Sequence, residues 1–164
     1  MNPIRTIAAL FTLSLLTQGC VKETQEMAQE VGLLPSSCGT DGARLQATVD
    51  GNSYCATAQV VATVGNGSAM VSGLDLTGSA IVLQFDDLTV GTHAITAAEN
   101  GVMYMSMGST YVVGPDQTGS LTITEHNADT HRLKATFEAT VMNTASGLLK
   151  NVSGNVDVIY TLQE

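Results

Sequence analysis

Four titratable side chains in the last third of the chain are of types that can hold a metal ion. Glu125, His126, Asp129 and His131 lie within one seven-residue stretch, and imidazole and carboxylate groups bind divalent cations. The same stretch is predicted to be the tip of a β-hairpin, where solvated polar side chains are common. We therefore treat His126, Asp129 and His131 as weak candidate ligands and expect no resident metal ion or other cofactor.

Three methionines alternate with other residues from Met103 to Met107. Because the side-chain period of a strand is two, Met103, Met105 and Met107 are predicted to share one face. Three thioethers on one face would suit monovalent copper. Alternatively, methionines fill irregular gaps in the core of a domain that has three phenylalanines and no tryptophan.

Other catalytic patterns are missing from the sequence. It contains no Gly-x-Ser-x-Gly segment, and His93, His126 and His131 have no neighbouring motif typical of nucleophilic catalysis. The few aromatic residues do not form the recognisable platform that sugar binding prefers. We expect a protein that is not an enzyme, and we assign no catalytic residue.

The N-terminal twenty residues have the organisation of a bacterial lipoprotein signal. Arg5 precedes an apolar run over residues 7–16, which leads into Leu16-Thr17-Gln18-Gly19-Cys20, a permissive lipobox. The apolar run is about ten residues long, whereas a membrane-spanning helix needs roughly 20. We expect residues 1–19 to be a signal peptide that is removed, and Cys20 to be the lipidated residue.

Residues 20–37 are predicted to form the lipidated N-terminus and a flexible tether. The segment is rich in Lys, Glu and Gln, and Gly32 and Pro35 interrupt any helix. Acyl chains on Cys20 would make the membrane a permanent partner, with other envelope proteins as further candidates. The residue after the lipidated cysteine is Val21 rather than aspartate, which favours the outer membrane as the location within the cell envelope.

The chain has three cysteines, and lipidation of Cys20 would leave Cys38 and Cys55. In an oxidising envelope compartment these two would form a disulfide bond. The alternative is a pair of buried, unlinked thiols.

Charge argues against nucleic acid as a partner. The full chain has six Lys and Arg against fifteen Asp and Glu, so removing Arg5 with the signal leaves five basic residues and a net charge near −10. Such a surface repels phosphate backbones, and no basic stripe offsets the repulsion.

Residues 38–164 are predicted to form a single all-β domain. Leu45, Ala47 and Val49 alternate with polar residues, and Asp50-Gly51 is typical of a tight hairpin turn. Glycine-rich turns recur every 8 to 12 residues, which predicts an antiparallel β-sandwich or a partly closed barrel of nine or ten strands. Within it we expect one long strand over residues 53–64, and a final strand over residues 152–162 with Leu162 facing inward.

Three segments carry a resemblance to a known type of domain. They are residues 47–56 (ATVDGNSYCA), 119–124 (GSLTIT) and 136–139 (TFEA). With them the chain resembles an uncharacterised β-rich domain family found in lipoproteins of Bacteroidota-type bacteria. The chain has Ala135 and Tyr54 where that family typically has glycine and a different aromatic residue. The resemblance implies a β-domain behind a lipid anchor, and it adds no catalytic residue.

These observations leave three functional hypotheses. The favoured one is a membrane-anchored envelope lipoprotein whose non-enzymatic β-domain is a structural or interaction module. A small hydrophobic-ligand binder is the second, and it requires an unfilled interior. The third is a metal-handling protein that binds copper through the strand from Met103 to Met107, or another cation at the His126 turn.

Overall fold

The computed structural model describes residue 38 and residues 41–163. The predicted signal peptide over residues 1–19, the lipidation residue Cys20 and the tether over residues 20–37 lie outside the described residues.

Within the described residues the chain forms twelve strands and no helix. In chain order the strands are β1 (Ala43–Val49), β2 (Asn52–Cys55), β3 (Gln59–Gly65), β4 (Ser68–Leu74), β5 (Ala80–Phe85), β6 (Gly91–Ile95), β7 (Gly101–Ser106), β8 (Ser109–Val112), β9 (Gly119–Asn127), β10 (Arg132–Met142), β11 (Leu149–Ile159) and β12 (Thr161–Leu162). The prediction of an all-β fold is confirmed.

All strands belong to one hydrogen-bonded sheet with the order β12-β3-β4-β5-β7-β8-β10-β11-β1-β2, while β9 pairs with β10 and β6 pairs with β9. Pairing is antiparallel except between β12 and β3, which are parallel. Met142 of β10 pairs with Val112 of β8 and joins two arms. In the part of the chain that is described, this sheet does not close into a barrel.

The two arms differ in charge, and we name them accordingly. Strands β3, β4, β5, β7 and β8 contain no Asp, Glu, Lys, Arg or His, and we call them the uncharged arm. Strands β6, β9, β10, β11, β1 and β2 form the charged arm, which includes Arg132, Lys134 and Asp157. Every charged side chain outside the charged arm that the structure describes lies in a turn or loop.

The inner faces of the two arms share one hydrophobic core. Leu45 of β1, Phe85 of β5 and Val141 of β10 are all fully buried in it. The arms approach closely at Gly73 of β4, where an added Cβ would lie 3.3 Å from Leu45 Cδ1. The Tyr54 hydroxyl crosses the core and donates a 2.6 Å hydrogen bond to the Gly73 carbonyl. These contacts join the two arms across the core.

The predicted alternation and the first predicted turn are confirmed. Leu45, Ala47 and Val49 are buried while Gln46 and Thr48 are exposed. Asp50 and Gly51 have φ angles of 50° and 77°. Positive φ at both positions is what a two-residue turn of type I′ requires.

Two predicted strands were wrong in their extent. The strand expected over residues 53–64 is broken after Cys55, because Ala56 N–H bonds to Leu45 of β1 and Ala58 N–H bonds to Leu74 of β4. The chain passes there from the charged arm to the uncharged arm. The last predicted strand also breaks, after Ile159, and continues as β12 beside β3. Leu162, predicted to face inward, is consequently 61 % exposed.

The predicted disulfide bond joins Cys38 to Cys55, with the two Cα atoms 5.0 Å apart. Cys38 is buried, and its sulfur lies 3.9 Å from the Tyr54 carbonyl oxygen. The bond therefore fixes the start of the domain beside β2.

Removal of this bond is expected to lower the stability of the domain. Closing a loop of 17 residues restricts the unfolded chain by about 3 kcal/mol on the loop-entropy model. The double variant Cys38→Ser/Cys55→Ser should lose about that free energy of unfolding in urea titrations. Reductant should destabilise the wild-type protein to the same extent and leave the double variant unchanged. An unfolding midpoint of the wild-type protein that does not respond to reductant would contradict this account.

Candidate interaction surface

The candidate metal ligands do not converge on one point. His126 Nε2 lies 3.1 Å from the Tyr160 hydroxyl, and the His131 ring stacks on the same tyrosine with centroids 5.3 Å apart. Glu125 forms an ion pair with Lys134, and Asp129 is exposed in the turn. Among the described residues, no group of three His, Cys, Asp or Glu side chains has the arrangement of a metal site. Tyr160, not a shared cation position, is what brings the two histidines together.

The three methionines are placed differently from either prediction. Met103 and Met105 of β7 lie on the outer face of the sheet, because the inward positions of this strand are Val102 and Tyr104. Met107 is fully exposed in the turn to β8, with a φ of 50°. The interpretation of these methionines as core fillers was therefore wrong. The three thioethers also do not lie on one face of the strand.

The outward side of the uncharged arm, which we call the outer face, has no charged strand residue and carries a group of apolar side chains among uncharged polar ones. Its central row crosses five strands in register, from Val61 through Ser72, Val82 and Met103 to Val112. The flanking rows add four more apolar residues, which are Met70, Leu74, Ala80 and Met105. Val61 is 41 % exposed and Met70 is 50 % exposed. Apolar side chains that are neighbours on a sheet and accessible to solvent are typical of a binding surface.

A depression of about 220 Å³ opens on the outer face. Val82, Met103 and Val112 line it together with the polar residues Gln84, Asp86 and Glu99, and the loop over residues 96–100 forms a wall. Buried Asn100 holds this loop, because its Nδ2 donates to the Ala94 carbonyl at 2.8 Å. Asn100 and Asp86 also exchange two hydrogen bonds between side chain and backbone N–H. The wall is thus tied to the end of β5 and gives the outer face a defined shape.

The charged arm presents the opposite chemistry. Arg132 makes two hydrogen bonds to Asp157, at 2.9 and 2.8 Å, and this guanidinium lowers the pKa of the Asp157 carboxyl. Lys150 bonds to Asp50 at 2.9 Å, which lowers the pKa of Asp50 and raises that of Lys150. Such pairs leave both partners charged at neutral pH. The strands of this arm therefore carry ion pairs, which the strands of the uncharged arm lack.

Comparison with known families places the chain in one of them. A family described as "Domain of unknown function (DUF6252)" matches residues 41–159. The chain belongs to the DUF6252 family. The matched residues extend from the residue before Gly42 to the end of β11, so the DUF6252 domain includes both arms of the sheet. Membership confirms the predicted resemblance to an uncharacterised domain. No curated protein and no solved structure matches the chain.

None of the described segments of the DUF6252 domain is a helix with the length and hydropathy required to cross a membrane. The outer face was not predicted from the sequence, although the sequence shows that the segments forming β3, β4, β5, β7 and β8 contain no charged residue. The order of the strands could not be predicted, and only the observed pairing shows that these five segments are neighbours.

Proposed function

We propose that this DUF6252 chain is a lipid-anchored protein of the bacterial cell envelope whose β-domain is a non-enzymatic interaction module. The lipobox ending at Cys20 supports the anchor, and Val21 supports the outer membrane as its location. The lipoprotein context of the Bacteroidota-type domains that the chain resembles is consistent with this anchor. The module would bind another envelope protein through the outer face of the uncharged arm.

The observation that carries the proposed binding function is a sheet face with exposed apolar side chains and no charged strand residue, on a protein with a net charge of −9. Acidic proteins stay soluble by distributing charge over their surfaces, yet five adjacent strands here have none. Protein interfaces have cores that are depleted of charged residues and enriched in methionine. Met70, Met103 and Met105 give the outer face this composition.

A charge placed on the outer face should abolish binding. Met70 is half-exposed and lies on β4, so Met70→Glu should fold and should put an unpaired carboxylate inside the interface. Thr48→Glu is the matched control, because Thr48 is an exposed strand residue on the outside of the charged arm. Burying an unpaired charge costs several kcal/mol, so we expect at least about a tenfold loss of bound partner for Met70→Glu only.

The measurement is quantitative mass spectrometry after in-cell crosslinking and purification of the full-length protein from its native envelope. The expected result is one envelope protein recovered with the wild type and with Thr48→Glu, and lost with Met70→Glu. Equal recovery with both variants would place binding elsewhere and would refute the role of the outer face. Recovery of no partner with the wild-type protein would refute the interaction module.

A further inference from the structure

A glycine interrupts the outer face at the depression. Gly101 of β7 pairs with Gln84 of β5, and the next outward pair along the same two strands is Met103 with Val82. Because Gly101 has no side chain, the outward row of β7 has a gap there, which the loop over residues 96–100 borders. The depression of about 220 Å³ is smaller than the roughly 300 to 1,000 Å³ of small-molecule sites. It is large enough for one long side chain.

The lining of the depression combines apolar side chains with carboxylates. Val82, Met103 and Val112 form one apolar row across β5, β7 and β8. Asp86 and Glu99 supply two exposed carboxylates. In the described part of the chain no Lys, Arg or His side chain lines the depression. These groups would suit an occupant that has an apolar stem and a cationic head.

Hydrogen bonds hold one of the two carboxylates in place. Asp86 Oδ2 accepts the backbone N–H of Asn100 at 2.6 Å, and its Oδ1 accepts Nε2 of Gln84 at 2.8 Å. Both donors are neutral, so they fix the carboxylate without neutralising its charge. An ionised carboxylate has about four lone-pair positions, so Asp86 can accept further hydrogen bonds from an occupant.

The cations of the described residues are all engaged elsewhere. Each of the four Lys and Arg side chains forms an ion pair with another carboxylate, in the pairs Arg44–Asp41, Arg132–Asp157, Lys134–Glu125 and Lys150–Asp50. A purely apolar side chain in the depression would therefore cover carboxylates that have no cationic partner, which costs free energy. A cationic occupant would remove this cost.

We infer that the depression receives an arginine side chain of the partner protein. The inference rests on the proposed binding through the outer face, and it specifies the chemistry of the partner. The arginine stem would lie on the apolar row, and the planar guanidinium would donate hydrogen bonds to Asp86 and Glu99. Arginine is enriched in protein interfaces and lysine is depleted, and a guanidinium is less strongly hydrated than an ammonium group. The net charge of −9 also favours a basic partner.

The ε-methyl group of Met103 makes a direct test possible. Met103 lines the depression, whereas Met107 is fully exposed in the next turn and serves as an internal reference. The full-length protein, purified in detergent with ¹³C in its methionine methyl groups, is titrated with acetyl-arginine methylamide and followed by NMR. Acetyl-lysine methylamide and acetyl-norleucine methylamide are the comparison probes, because the first changes the cationic head and the second removes it.

Two variants separate a local ion pair from the overall charge. Glu99→Gln removes one carboxylate from the lining. Glu138→Gln is the matched control, because Glu138 is an exposed residue of β10 that does not line the depression. Both variants lower the net negative charge by one, so long-range attraction for a cation changes equally. Both positions are exposed, and we expect both proteins to fold.

We expect a saturable shift of the Met103 methyl resonance with the arginine probe and weaker binding of the other two probes. Glu99→Gln should weaken arginine binding at least about threefold, and Glu138→Gln should leave it unchanged. The absence of a Met103 shift, or equal weakening by the two variants, would overturn the site. Norleucine or lysine binding as tightly as arginine would overturn the assignment to arginine. Each of these failures leaves the proposed function to its own test at Met70, which does not line the depression.

Discussion

Replacing Phe85 with alanine is expected to remove about 3 to 5 kcal/mol from the free energy of unfolding. Phe85 ends β5 and is fully buried, and it pairs with buried Ala69 of β4. The chain has three phenylalanines and no tryptophan, so few residues in the core have comparable volume. Truncation removes the buried ring and leaves a cavity, because a close-packed interior relaxes only in part. Domains of this size have about 5 to 15 kcal/mol of stability in total, so the loss is a large share.

The measurement is a urea titration of Phe85→Ala beside Gln84→Ala. Gln84 is the preceding residue on the same strand, but its exposed side chain lies on the outer face and bonds to Asp86 at 2.8 Å. Truncation of an exposed side chain should cost less than about 1 kcal/mol. Equal unfolding midpoints for the two variants would contradict the assignment of inner and outer faces on β5.

Local patterns in the sequence predicted the local structure well. Alternation at Leu45, Ala47 and Val49 predicted a half-buried strand, because one face of the sheet lies on the core. Asp50-Gly51 predicted a tight turn since these residue types tolerate positive φ. The cysteine count predicted the bond between Cys38 and Cys55 from redox chemistry. Each of these features depends on residues that are close in sequence or on a simple count.

Features that depend on pairing between strands far apart in the sequence could not be predicted. The apolar run over residues 53–64 has strand character throughout, yet Ala56 and Ala58 bond to different arms. Leu162 continues the alternation of β11, but the chain bends at Tyr160 and moves to the edge beside β3. A period of two describes which way side chains point within a strand, and it carries no information about which strand lies alongside.

The candidate surface illustrates the same distinction. Met103 and Met105 were predicted to share a face, and they do, but alternation alone did not show that this face is the outer one. The neighbouring strand β5 identifies the outer face, because Ile81 and Leu83 are buried and Val82, which pairs with Met103, is not. The candidate ligands His126 and His131 also lie near each other, but through Tyr160, which is distant in sequence.

The second large effect is expected at Cys20, where replacing the proposed acyl acceptor should abolish lipidation. A single acyl chain holds a protein on a membrane only weakly, with a partition constant of about 10⁴ M⁻¹, whereas several chains make attachment permanent. Cys20→Ser removes the acceptor for all of them. We expect the incorporation of fatty acid into the protein to fall by at least about a hundredfold.

The matched control is the Cys38→Ser/Cys55→Ser double variant, which loses the other two cysteines and keeps the acceptor. It should be less stable but should remain in the lipid phase. This comparison separates lipidation from a general effect of removing sulfur or of unfolding the domain.

The most direct test of a lipid-anchored β-domain is metabolic labelling with radioactive palmitate, followed by detergent phase partitioning of the wild type and Cys20→Ser. The account predicts a labelled wild-type protein in the detergent phase, and an unlabelled Cys20→Ser protein of higher mass with its signal peptide retained. Label that persists on the Cys20→Ser protein would contradict it.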